Sequence, residues 1–340
     1  MSPNAAVAKH RLISVVVPSY NRGELIRRCY DSVVAQLHRP LEFLLADDAS
    51  TDDTAAATAA LPPAPGVLVR YLRQSHNLGV SAARNLAVRA AQGELIAFLD
   101  SDDVWFPTHL TKLLSAMERS GADVVFANGE IRESPEAPPS GRSDYGPKPG
   151  EAARMAECLY YFNFVLPSVT LVRREFFAKV GFFDEDPKIQ HAEDWDIYLR
   201  TAQAGLTFAH VPEATAYYIV PAILPEQKRL MMLRRLIYCL EKHREYPLAP
   251  ASGRRLTLGH YRIWLGKLLG VEKAEAQELF QRVWSESWCH PLMGASSLCG
   301  LLIPRLPAFL RPLGFRVLDR LFAHLRASHR KLRGLVDPQC

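Results

Sequence analysis

Between Leu12 and Asn128 the chain alternates short apolar runs with longer helical segments. The runs Leu12–Val17, Leu41–Ala46, Val67–Leu72, Leu95–Leu99 and Ala122–Ala127 are rich in Val, Ile, Leu and Phe. Each is too short for a helix and apolar on successive residues, as strands buried on both faces are. Between them, Glu24–Leu37, Asp52–Leu61, Val80–Ala91 and Thr108–Ser120 are long enough for helices. Ser50 with Asp53 has the form of a capping box, and Pro107 suits a first helical turn. Strict alternation of strand and helix predicts an α/β fold with a mostly parallel, doubly wound sheet and helices on both faces.

The rhythm breaks at residues 133–150, where five prolines and three glycines predict a flexible surface loop. Strand signals resume at Val169–Val172 and Leu206–Val211, and a helix over Ala192–Ala204 carries Trp195, Tyr198, Leu199 and Ala202 on one face. From Pro225 onward the pattern is helical and basic. The expected division is an N-terminal tail over 1–11, an α/β domain over 12–221 and a helical appendage over 222–340. Within the α/β domain, halves over 12–128 and 151–221 flank the loop.

Composition narrows the class. At 340 residues, 48% hydrophobic and 23% charged, the chain is globular rather than disordered, collagenous or polytopic. Its six cysteines contain no CxxC pair, which excludes a zinc ribbon or thioredoxin-type site. Met1–Arg11 has no apolar signal core, and no run of 18 apolar residues occurs. A cytoplasmic protein is expected. The net charge of +5 hides an asymmetry: 21 basic and 27 acidic residues up to Pro221, then 20 basic and 9 acidic after it.

Three strands end in polar clusters: Pro18-Ser19-Tyr20-Asn21-Arg22, Asp47-Asp48-Ala49-Ser50 and Asp100-Ser101-Asp102-Asp103. In an open α/β sheet these ends share one rim, where ligands bind. Carboxylates gathered there repel one another unless a positive charge joins them. A divalent cation, Mn²⁺ or Mg²⁺, completed by a substrate diphosphate, is the simplest such charge. Neither GxxxxGK[ST] nor GxGxxG is present to grip phosphate instead. A lone D-x-D is often only a solvated turn; its place after a buried strand, with two sibling clusters, favours a site. Tyr20 reads either as a half-buried loop aromatic or, beside Asp48, as a platform for a base whose imide N–H donates to the carboxylate, which would favour uracil or thymine. Arg84, in Asn77-Leu78-Gly79-Val80-Ser81-Ala82-Ala83-Arg84-Asn85, could reach a diphosphate or base, or serve as a surface ion-pair partner.

Together, Val15–Arg22, Asp47–Asp52, Asn77-Leu78-Gly79 with Ala83-Arg84-Asn85, and Phe98–Asp103 closely resemble the family 2 glycosyltransferases of the GT-A fold. Val172-Arg173-Arg174, Gly181–Glu185 and Glu193-Asp194-Trp195-Asp196 resemble that family's acceptor-side segment and its ED motif. The resemblance covers about residues 12–218. It implies that Pro18, Tyr20, Asn21 and Asp48 hold the nucleoside with Arg84 nearby, that Asp100 and Ser101 lie beside the donor, and that Asp102 binds the metal with Asp103 in support. It further implies Asp194 as general base, Glu193 orienting acceptor or base, and inversion at the anomeric carbon. The family's frequent histidine after the last strand is missing from Tyr217-Tyr218-Ile219-Val220-Pro221, and His191 and His210 are poorly placed to replace it. The processive signature QxxRW is absent too, favouring single or few additions in cell-surface glycan or polysaccharide synthesis.

The implied partners are a nucleotide diphosphate sugar, with UDP- or dTDP-sugars favoured, and a glycan or lipid-linked acceptor. Leu298–Arg326 mixes leucine, phenylalanine and arginine in a pattern that reads as contact with the inner face of the cell membrane or as a helical appendage packed on the protein. No nucleic-acid module accompanies the positive charge. The competing functions are a nucleotidyltransferase, which normally carries a glycine-rich loop absent after Val17, and a non-catalytic sugar-nucleotide-binding subunit.

Overall fold

The computed structural model describes residues 11–138, 145–221, 224–287, 291–306 and 310–334. The chain divides into two compact units, residues 1–146 with 164–222 and residues 147–163 with 223–340. Residues 147–163, assigned from sequence to the loop and the start of the second half-domain, therefore cluster with the helical unit.

In the first unit the apolar runs become β1 (Ile13–Ser19), β2 (Leu41–Asp47), β3 (Val67–Arg73) and β4 (Leu95–Phe98), connected in turn by α1 (Gly23–Val34), α2 (Thr54–Ala59) and α3 (Val80–Ala90). A two-residue strand β5 (Val104–Trp105), α4 (His109–Ser120) and β6 (Val124–Arg132) follow. After α5 (Pro149–Ala152) and α6 (Met155–Tyr161), which belong to the other unit, come β7 (Thr170–Arg173), α7 (Phe176–Val180), α8 (Glu193–Gln203) and β8 (Phe208–Ile219). The eight strands form one sheet in the order β3-β2-β1-β4-β7-β6-β8-β5.

Every residue of β1 and β2 is buried, which explains why their sequences are apolar without alternation. Tyr30 of α1 meets Phe43 of β2 edge to face at 5.3 Å between ring centres. Pro18 is tolerated in a central strand because the β1–β4 ladder ends at Val16, so no neighbour there requires its missing N–H. Four strand contacts are parallel. Three are antiparallel, because β7 inserts reversed between β4 and β6, and β5 caps β8. The sheet is thus mixed, parallel where β1–β4 build the ligand rim.

Three local expectations change. Ser50 does not cap α2; its Oγ accepts the N–H of Asn21 at 2.8 Å, while Asp52 Oδ1 accepts the N–H of Thr54 at 3.1 Å. Pro107 lies two residues before α4 rather than inside it. Within 133–150, residues 139–144 lie outside the described residues, but Tyr145 bridges to Gly129 and α5 begins at Pro149.

The second unit is helical, with α9 (Glu226–Lys242), α10 (Ala251–Leu269), α11 (Ala274–Ser287), α12 (Pro291–Leu302) and α13 (Arg311–Gly334) joining α5 and α6. The Phe280 ring of α11 sits where a Cβ on Gly300 would approach it to 2.6 Å and one on Gly266 to 3.0 Å, so these glycines set how closely α10 and α12 pack on α11. Tyr160 stacks on Tyr246 at 5.6 Å. No helix among the described residues is long and apolar enough to cross a membrane.

Candidate active site

The C-terminal ends of β1, β2 and β4 carry the three polar clusters, and side chains stitch them to one another. Asn21, with φ of 51°, receives the Thr51 N–H on its carboxamide oxygen at 2.8 Å. Its own N–H is held by Ser50, so the sequence-assigned donor residue Asn21 acts first as a clasp between the β1 and β2 loops. Beside it Tyr20 is 45% exposed, leaving its ring free for stacking.

Asp48 is buried and engaged by its own chain. Oδ1 accepts the N–H of Leu78 at 2.7 Å and the amide of Gln74 at 2.9 Å, and Oδ2 accepts the N–H of Gly79 at 2.8 Å. Three of roughly four acceptor positions on a carboxylate are thereby used, so Asp48 is chiefly the anchor of the loop entering α3. Gly79 is required there: its φ is 94°, and a Cβ would lie 1.9 Å from Gln190 Nε2.

Arg84, presented by α3, is the centre of the site. Its guanidinium is buried, donating from Nη2 to Asp100 Oδ1 and from Nη1 to Glu193 Oε1, each at 2.6 Å. It also faces the Phe183 ring at 5.5 Å. Despite burial, Asp100 and Glu193 raise its pKa above the ordinary arginine value, so the cation is permanent. Arg84 therefore joins the strand-end acid cluster to the first residue of α8, and its ion pairs are buried rather than on the surface. The adjacent Asn85 holds the segment before α8: its amide donates to Phe183 O at 2.8 Å and Glu185 Oε1 at 2.7 Å, while its oxygen accepts the Phe183 N–H at 3.0 Å.

Asp194 follows Glu193 in the first turn of α8 and accepts the Trp195 N–H at 2.7 Å. Burial, then the neighbouring Glu193 charge, pushes its carboxyl up to about 7, against the opposing pull of Arg84. Such a group exchanges a proton near neutrality, which suits a general base. Glu193 is nearly fully buried, with Oε1 on Arg84 and Oε2 without a hydrogen-bond partner among the described residues.

The acid cluster after β4 is held by residues that the sequence did not single out. Ser168 Oγ accepts the Asp100 N–H at 3.0 Å, and Trp105 Nε1 donates to Ser168 O at 2.6 Å. Ser101 is buried. Asp102 is partly exposed; its carboxylate lies 3.8 Å from Arg22 Nη2, and Arg28 Nη2 donates to its carbonyl at 3.3 Å. Burial and then Asp100 raise its pKa, as expected for carboxylates crowded without enough positive charge. Asp103 points the other way: it is buried, its Oδ1 accepts the Ile219 N–H at 2.9 Å, and burial followed by Asp102 and Asp100 pushes its pKa well up. Its geometry is that of a strap on β8.

Among the described residues no three His, Cys, Asp or Glu side chains gather into a ready metal cage. The hard carboxylate oxygens of Asp102, crowded by Asp100, nevertheless fit a Mg²⁺- or Mn²⁺-type ion, which commonly takes one or two carboxylates and completes its shell with phosphate and water. His210 is unsuited to a ligand role: it stacks on Phe126 at 5.0 Å, bonds Asn128 Oδ1 at 2.7 Å, and burial lowers its pKa to about 4. His191 sits in an exposed turn with φ of 65°.

The model of the glycosyl transferase family 2 matches residues 14–181, a span containing the three clusters and the Arg84 helix. The uncharacterised glycosyltransferase YwdF of Bacillus subtilis is 30% identical over 206 residues, 61% of this chain and 73% of that protein. The UDP-Glc:alpha-D-GlcNAc-diphosphoundecaprenol beta-1,3-glucosyltransferase WfgD of Escherichia coli is 33% identical over 120 residues, 35% of this chain and 46% of that enzyme. In fold, the crystal structure of S. aureus TarS 1–349 in complex with UDP-GlcNAc matches with a TM-score of 0.57 at 17% identity, covering 95% of this chain and 91% of that one. The chain belongs to the family 2 glycosyltransferases.

Proposed function

We propose that this glycosyltransferase moves a sugar, with inversion, from a UDP- or dTDP-sugar to a hydroxyl of a lipid-linked or glycan acceptor. The observation that carries this reading is the Arg84 bridge, with 2.6 Å contacts to Asp100 on one side and Glu193 on the other. It ties an acid cluster suited to a diphosphate to Glu193 in the first turn of α8, where the next residue, Asp194, is the carboxyl pushed up to about 7.

In this mechanism Asp194 takes the proton of the acceptor hydroxyl as its oxygen attacks the anomeric carbon from the face opposite the diphosphate. The new C–O bond forms, the bond to the diphosphate oxygen breaks, and the nucleoside diphosphate departs with the electron pair. A positioned base contributes roughly 10²- to 10⁴-fold. Glu193, fixed by Arg84, orients the acceptor or Asp194. Asp102 with Asp100 would hold a divalent cation, whose chemistry when bound is to neutralise charge on the leaving diphosphate; Asp103 supports the cluster from behind. Tyr20 stacks on the base, and the remaining lone pair of Asp48 is open to an imide N–H.

The uridine preference is supported by the donors in the names of WfgD and the TarS complex, and a lipid-diphosphate acceptor by the former. The basic helical region would meet such an acceptor at the inner face of the cell membrane. Incubation with UDP-glucose or UDP-GlcNAc, Mn²⁺ and a polyprenyl-diphosphate sugar tests this: the reading requires UDP release matched by a product of inverted anomeric configuration in its NMR coupling. Donor binding without turnover across such acceptors would favour a non-catalytic binding subunit.

A further inference from the structure

The apolar residues of α13 divide between two faces. Leu318, Phe322 and Leu325 are buried within the helical unit; His260 stacks on Phe322 at 5.4 Å, and Lys267 Nζ lies 4.3 Å from the same ring. Leu313 and Val317 are instead 59% and 39% exposed, and Leu298, Leu302 and Leu310 just before them are exposed as well. Leu313, Arg316, Val317 and Arg320 fall at i, i+3, i+4 and i+7, one stripe along the helix opposite the packed one. The packed-appendage reading of this stretch thus describes the inner side of the helix only.

Charge specifies what covers the outer side. Residues 305–334 contain eight lysines and arginines and one acidic residue, Asp319, which is paired with Lys267 at 2.5 Å. Arg316 and Arg320 are exposed and form no ion pair among the described residues. Leucine and valine interleaved with unpaired arginine match a bilayer interface, where acyl chains take the apolar groups and anionic headgroups take the guanidinium groups.

We propose that the outer face of α13 docks on an anionic phospholipid bilayer. Leu313 and Val317 enter the acyl boundary, and Arg316 and Arg320 engage headgroup phosphates. This deepens the functional reading above, since a lipid-linked acceptor lies in that surface. Its test requires neither donor nor acceptor.

The full chain is sedimented with vesicles of phosphatidylcholine containing phosphatidylglycerol and, separately, with phosphatidylcholine alone. The expected result is binding to the anionic vesicles that weakens with salt, with R316E/R320E lowering the partition coefficient by at least about tenfold. L313S/V317S should lower it comparably while keeping the wild-type melting temperature and donor binding, which separates lost docking from lost folding. Equal binding of wild type and both variants, or none to anionic vesicles, overturns the proposal. So does a light-scattering dimer that L313S/V317S abolishes without any vesicle binding, since the face would then be an interface between copies. Vesicle binding without sugar transfer would leave this proposal standing and refute the functional one.

Discussion

Arg84 and Glu193 stand 109 residues apart in the chain and 2.6 Å apart in space. The same guanidinium reaches Asp100 at the same distance, so one buried cation sets the spacing between the strand-end acids and the start of α8. Breaking a buried pair by deleting one partner typically costs about 3–5 kcal/mol, because the other charge stays desolvated. Arg84→Ala is expected to lose stability on that scale in denaturant unfolding and to lose transfer. Arg84→Lys should recover little of either, since a single ammonium nitrogen does not span two carboxylates that are held from the separate Nη1 and Nη2 of a planar guanidinium. Wild-type stability and turnover in Arg84→Lys would show that the bridge is not needed.

The protonation of Asp194 predicts a pH profile. Its carboxyl titrates near 7 rather than in the ordinary range, and only the deprotonated form can accept the acceptor proton. kcat/KM should therefore rise with pH up to about 7 and level off above it, the acid limb falling tenfold per pH unit. The same shift acts oppositely on folding: a carboxyl whose folded pKa is raised gives up stability as pH rises from its ordinary value toward 7. A profile flat from pH 5 to 8 for a chemistry-limited acceptor would contradict the assignment.

Asp102→Ala should weaken nucleotide-sugar binding in the presence of Mn²⁺ and leave little Mn²⁺ dependence in the residual binding, read by calorimetry with and without chelator. Asp103→Asn, which alters the strap on Ile219 rather than an exposed oxygen, should lower the melting temperature more than the metal dependence. The reverse pattern would exchange their roles.

Asn85 is a positioning residue by its geometry. Asn85→Asp removes both N–H donors to Phe183 O and Glu185 and sets like charges together. The expected outcome is a raised acceptor KM and lowered kcat with donor Kd within about threefold, for a loss of roughly 1–3 kcal/mol in stability. An unchanged acceptor KM would mean that the segment before α8 does not need this clamp.

What was legible in the sequence follows from what each feature depends on. β1, β2 and β4 could be read because a strand buried on both faces is apolar throughout, whereas β3 at the sheet edge is only partly buried and carries Arg70 and Arg73; the polar clusters could be placed because parallel strands share a C-terminal rim. The reversed insertion of β7 could not, since four residues such as Thr170–Arg173 carry no mark of direction or neighbour. The contacts of Ser168 with Asp100 and of Asn85 with Phe183 were hidden for the same reason: each joins segments far apart in the chain. Arg84 and Asp48 were found as polar residues in the right place, but which partners satisfy them depends on packing. Those partners are Leu78, Gly79 and Gln74 for Asp48, and Asp100 and Glu193 for Arg84.

Single-turnover transfer from a UDP-sugar with Mn²⁺, comparing wild type with Asp194→Asn, decides whether Asp194 is the base of a sugar transfer. If it is, the rate falls roughly 10²- to 10⁴-fold with donor Kd essentially unchanged. An Asp194→Asn enzyme that transfers sugar at the wild-type rate would contradict it.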